Sequence, residues 1–97
     1  MDAESAQGRF RAMGLTVREL ADEPGHVYRP HQHERTYLFG IEGVGLMKLG
    51  AGADATYHLV RPGEELLVES GVVHGGVAGP DGWRYLAAAP PTNLSSA

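Results

Sequence analysis

The chain has 97 residues, enough for one domain and one core. Its net charge is −4, and its eight basic residues are scattered singly, which excludes the clustered cationic face that direct nucleic-acid binding needs. There is no cysteine, so disulfides, a thiol nucleophile and Cys-ligated zinc are excluded. A reducing cytoplasm is the expected setting. The start of the chain carries Asp2 and Glu4 without an apolar stretch, and no apolar run approaches the roughly 20 residues of a membrane span. Neither a signal peptide nor a membrane partner is expected.

Fourteen Gly and six Pro are spaced along the sequence between short apolar runs. Such punctuation marks an all-β sandwich or barrel. Residues 1–14 read as a weakly structured arm with Phe10 and Met13 as anchors. Residues 15–20 alternate imperfectly as a strand, and 22–25 form a turn. Residues 26–33 are extended, because Pro30 forbids a helix and biases Arg29 towards β geometry. Strands follow at 36–42, 44–49, 55–60, 65–69, 72–78 and 83–89. Gly79-Pro80-Asp81-Gly82 is a strong turn signal, and Pro90-Pro91 ends the last strand. The domain map is an arm (1–14), a barrel (15–90) and a tail (91–97). Eight or nine short strands predict an antiparallel double-sheet jelly roll.

Three histidines organise this barrel. Side chains at i and i+2 of a strand share a face, so His31 and His33 present adjacent imidazoles. His74 lies on a much later strand and joins them only if the sheet closes on itself. Three neutral imidazoles would suit Zn, Fe, Mn or Ni and leave coordination positions open. A metal-free polar pocket is the alternative. His26 and His58 read as packed or surface residues.

Residues 25–43, from Gly25-His26 through His31-Gln32-His33 to Ile41-Glu42-Gly43, resemble the first cupin motif. Residues 63–78, with Gly63, Gly71 and His74, resemble the second. This resemblance implies the double-stranded β-helix, or cupin barrel, with His31, His33 and His74 as ligands. It departs from the family where the usual glutamate ligand falls on Thr36 and a proline position holds Glu69. A second resemblance covers most of the barrel. His31-Gln32-His33-Glu34-Arg35-Thr36-Tyr37, Arg61-Pro62-Gly63-Glu64-Glu65-Leu66-Leu67-Val68, Val73-His74-Gly75-Gly76-Val77-Ala78 and Pro80-Asp81-Gly82-Trp83-Arg84-Tyr85 resemble the N-terminal effector-binding domain of AraC-type transcription regulators. That resemblance implies a small effector, often a sugar. The family's helix-turn-helix segments have no counterpart within these residues.

A pocket for a small polar ligand needs an aromatic wall and a few polar groups. Trp83 and Tyr85 share one face of the last strand, Arg84 the other, and the indole would either stack on a sugar or planar ring or simply fill the barrel end. Thr36, Leu38 and Gly40 share the inner parity, with Gly40 leaving space in the cavity, and Met47 would either pack in the core or line the same space. Tyr37, Phe39 and Ile41 form an apolar stripe on the outer face. A homodimer through that sheet is expected, with the N-terminal arm as the other candidate cover.

The functional expectation is a small-molecule-binding domain that does not turn its ligand over. The alternative is a metal-dependent oxygenase or isomerase on the three histidines, with Glu34, Glu69 or Tyr37 as acid or base. A structural module would instead have a filled barrel.

Overall fold

A computed structural model of the chain describes residues 2–91. Its elements are α1 (Ala3–Ala12), β1 (Thr16–Asp22), β2 (Val27–His31), β3 (Thr36–Leu49), β4 (Thr56–Val60), β5 (Glu65–Val68) and β6 (His74–Ala89). A one-turn 3-10 helix, Gly52–Asp54, links β3 to β4. Every pairing between these strands is antiparallel. Among the described residues no helix is long and apolar enough to cross a membrane. Residues 92–97 of the expected tail lie outside the described residues.

Among the described residues there are six strands, not eight or nine. The expected strands 36–42 and 44–49 are one strand, β3, and 72–78 and 83–89 are one strand, β6. Gly79-Pro80-Asp81-Gly82 therefore bends a strand where a chain reversal was expected. Two glycines make the bend. Gly43 and Gly82 have φ of 68° and 84°, and a Cβ on Gly43 would collide with the Gly82 carbonyl. Glycine occupies positive φ and permits close backbone approach without a side-chain penalty.

This bend lets β3 and β6 each serve two sheets. One half runs β1–β6–β3–β5, using the start of β3 and the end of β6. The other runs β2–β6–β3–β4, using the opposite ends. The β3–β6 register slips between Gly40 and Glu42 and again between Gly43 and Gly45. The slips invert the facing parity. Buried Leu38 and buried Met47, of opposite parity, thus reach one core together with Val60, Val68, Ala78, Trp83 and Tyr85.

Gly40 does not open the cavity as expected. A Cβ there would strike the Arg61 carbonyl. Gly40 instead receives the loop between β4 and β5, with Gly40 N donating to Glu64 O at 2.9 Å and Gly63 N donating to Gly40 O at 2.9 Å.

The N-terminal arm is a helix. Asp2 caps it by accepting from Ser5 N at 2.8 Å, Glu4 sits in the first turn, and Arg9 and Arg11 sit in the last. Each placement favours the helix dipole. Gly14, at φ 83°, ends it. Ala3, Ala6 and Phe10 recur on one face, and Ala6 and Phe10 are fully buried. They pack on Phe39, Leu86 and Ala88, with Tyr37 and Ile41 alongside. The Phe10 and Tyr37 rings are 5.3 Å apart, and Arg9 pairs with Glu65. The Tyr37–Phe39–Ile41 stripe therefore packs against the chain's own helix, the other cover expected for it, with Phe39 buried and Tyr37 and Ile41 partly buried.

Truncating Phe10 to Ala should cost about 3–5 kcal/mol of unfolding free energy, read as a lower urea midpoint. Met13→Ala, at a residue 47% exposed, should leave the midpoint nearly unchanged. Equal effects would mean that α1 does not dock as described.

Candidate functional site

The histidines meet as expected, by a partly different route. His31 ends β2 and lies opposite His74 at the start of β6. A register shift between Tyr28 and His31 breaks the strand alternation, and His33 lies beyond the strand end. Even so, the His31 and His33 rings are 5.0 Å apart, His31 and His74 4.3 Å, and His33 and His74 4.6 Å. One ring nitrogen from each lies within 4.8 Å of the others.

Each Nδ1 faces a backbone carbonyl: His31 with Arg29 O at 2.7 Å, His33 with Glu34 O at 2.9 Å, and His74 with Val72 O at 2.9 Å. A carbonyl oxygen only accepts, so every Nδ1 must carry its proton. In the neutral ring that leaves a lone pair on each Nε2. The backbone thus fixes three tautomers in the form that ligates through Nε2. Burial holds His74 below the usual imidazole range, and the charges that His31 and His33 can carry act in the same direction against the Val72 carbonyl. The neutral, ligating form of His74 is therefore favoured.

Thr36 is buried beside this cluster. Its hydroxyl donates to Glu34 O at 2.9 Å and lies 3.3 Å from His33 Nδ1. Where the family's pattern has a glutamate, this chain has a residue that props the segment carrying His33. Glu34 lines the cavity because the chain has left the strand. Glu69 is out on the surface, paired with Arg35 at 3.1 Å, and Tyr37 lies under α1. Neither is on the cavity wall.

The cavity has a volume of about 680 Å³, so the filled-barrel reading is set aside. Its wall includes His31, His33 and His74, and also Thr36, Leu38, Met47, Trp83 and Tyr85. The indole does not offer a free stacking face. Trp83 is only 2% exposed, Tyr85 stacks on it at 3.9 Å and 19°, and a Cβ on Gly45 would lie 2.5 Å from its six-membered ring. Trp83 Nε1 is buried without a hydrogen-bond partner. His26 stands edge-on to Tyr28 at 5.0 Å, and His58 pairs with Thr56 at 2.9 Å. Neither joins the cluster.

Three residues were missed. The Tyr28 and Tyr85 hydroxyls both donate to Asp22 Oδ2, at 2.6 and 2.9 Å. The sequence pattern places Asp22 first in a turn, and the bulge after Tyr28 conceals that residue's inward direction. Burial first, then the Asp22 hydrogen bond, pushes the Tyr85 hydroxyl up to about 12 and that of Tyr28 up further. At neutral pH both are donors, not bases. The third residue, Arg18, lines the cavity from β1. Its signal was an arginine sharing the parity of Leu20.

A family model, the AraC-like ligand-binding domain, matches residues 14–93. The chain belongs to this family. A curated relative, the dimethylsulfoniopropionate lyase DddW of Ruegeria pomeroyi, is 37% identical over 76 residues, which cover 77% of this chain and 46% of the lyase. The chain thus spans about half the length of that relative. Among solved structures, Bacillus subtilis oxalate decarboxylase, a protein with Mn(II) centres, superposes with a TM-score of 0.74 at 20% identity, over 84% of this chain and 22% of the other. KdgF from Halomonas sp. gives a TM-score of 0.68 at 23% identity, over 82% and 72%. An RmlC-like cupin from Shewanella frigidimarina gives 0.69 at 20%, over 82% and 68%. These likenesses establish the cupin fold.

Asp22→Asn should lower the pH at which Tyr85 ionises, because the carboxylate acceptor that holds the phenol proton is lost. Carbon-13 tyrosine NMR across alkaline pH reads this directly. An unchanged Tyr85 titration would remove Asp22 from the account.

Proposed function

We propose that this domain binds a small molecule beside one divalent transition metal held by His31, His33 and His74. The observation that carries the reading is the set of three Nδ1–carbonyl contacts, which leaves three Nε2 lone pairs on one patch of cavity wall. The residues fit such a metal: three neutral nitrogen donors with positions left over. Zn, Fe, Mn and Ni all suit them. When bound, the metal would supply a Lewis-acidic site that orients an oxygen of the ligand.

The remaining wall gives the ligand its surroundings. Leu38 and Met47 supply apolar contact and exclude water, while Trp83 backs Tyr85 and holds its ring in place. Tyr85 and Tyr28 are fixed by Asp22. Thr36 acts through His33. Binding without turnover suits this wall, since its tyrosines keep their protons.

A second reading, a metal-dependent lyase, is favoured by the identity to DddW and by one group. Glu34 is a carboxylate on the cavity wall adjacent to His33, placed to take a proton from a bound substrate. Consumption of dimethylsulfoniopropionate by metal-loaded protein, abolished in Glu34→Gln, would favour the lyase; no consumption would leave binding as the function.

Titration of untagged, metal-stripped protein with Zn²⁺ should reach saturation at one equivalent. His74→Ala should weaken binding by roughly a hundredfold or more, since one of three ligands is removed and its second-shell carbonyl contact goes with it. Absence of stoichiometric binding, or equal binding by His74→Ala, would overturn the metal reading.

A further inference from the structure

The inner face of β1 carries Thr16, Arg18 and Leu20, which pair across the sheet with Ala89, Ala87 and Tyr85. Inner positions of such a wall are ordinarily apolar. Arg18 is a fixed cation on that face, exposed at the open rim of the cavity. Among the described residues it has no salt bridge and no side-chain hydrogen bond, whereas Arg9, Arg35, Arg61 and Arg84 all have carboxylate partners. Arg11 and Arg29 also lack such partners, but neither lines the cavity. Arg18 lies near enough to Tyr85 for its charge to act on the phenol, opposing Asp22. The residue opposite it is Ala87, whose methyl group leaves room over the sheet for the guanidinium and for a guest.

We propose that Arg18 is the anion anchor of this cavity and that the ligand is a small organic acid whose carboxylate it grips. The proposal rests on the reading of the cavity as a small-molecule site and names the class of molecule it takes. A guanidinium presents parallel N–H donors that match the two oxygens of a carboxylate. Arg18 is the one arginine or lysine among the described residues that line the cavity. The ligand's carbon chain meets Leu20, Leu38 and Ala87.

Butyrate, its neutral isostere butyramide and inorganic phosphate are suitable probes, titrated by NMR into the untagged full chain with and without Zn²⁺. Butyrate should shift resonances of residues lining the cavity in both states. Arg18→Gln should weaken butyrate binding about ten- to a hundredfold, the range for losing a charge-assisted hydrogen-bonded partner, while Arg18→Lys should retain part of it. Zn²⁺ binding by Arg18→Gln should match that of the parent. That match would show that the variant is folded and that the metal reading stands or falls separately. Loss of Zn²⁺ binding in His74→Ala with butyrate binding to the metal-free protein intact would likewise support the anchor. The proposal is overturned if butyramide binds as well as butyrate, if Arg18→Gln binds butyrate like the parent, or if phosphate alone binds through Arg18.

Discussion

Two strands have to belong to two sheets at once, and the contact between Gly43 and Gly82 is what allows it. Long strands pair well along their length, but a straight β3–β6 ladder would make one flat ribbon with one buried face. The glycines at the crossing let the ladder slip register and turn, so that its two ends face each other. Everything chemical depends on this. His74 and Tyr85 are on one strand, eleven residues apart, and would lie on opposite faces of a straight ribbon because their numbers differ in parity. After the bend they share a wall. Thr36 and Met47 on β3 stand in the same relation. A side chain at Gly43 would strike the facing backbone, which cannot move aside without undoing the pairing that encloses the cavity.

The bent ladder also explains where polar groups can be tolerated. Trp83 fills the crease, backed by Gly45 and faced by Tyr85, so that most of the aromatic mass stabilises the bend. Towards one end the wall turns polar, and there the chain supplies fixed partners. Asp22 takes two phenols, and backbone carbonyls take three imidazole Nδ1 protons. A polar group inside a barrel is costly unless its hydrogen bonds are made. Here the bonds are made at one end of each ring, and the other end is left for a ligand.

The sequence disclosed the histidine cluster, the jelly-roll class and the cavity-facing residues Leu38 and Tyr85, because spaced motifs and period-two parity are local signals. It misled where a local signal was weak or was overridden by tertiary pairing. Gly8 and a run of small residues hid α1, whose apolar face is only Ala3, Ala6 and Phe10; packing on Phe39 and Leu86, not helix propensity, holds it. Pro80-Asp81-Gly82 has the composition of a hairpin turn, yet pairing on both sides keeps β6 continuous. The parity of Trp83 suits a ligand platform and a barrel plug alike; that Gly45 and Tyr85 enclose it depends on a register slip that no local pattern encodes. Asp22 and Tyr28 were missed for the same reason, since a turn and a bulge conceal direction.

The central claim is that the backbone sets all three imidazoles in the Nδ1–H form, so that three Nε2 atoms are ready to ligate. Long-range proton–nitrogen correlation NMR on the metal-free, nitrogen-15-labelled protein at neutral pH reports the tautomer of each ring. The account predicts Nδ1–H for His31, His33 and His74 alike, with one equivalent of Zn²⁺ moving all three Nε2 resonances together. An Nε2–H tautomer in any of the three, or a Zn²⁺ response confined to one or two rings, would contradict it.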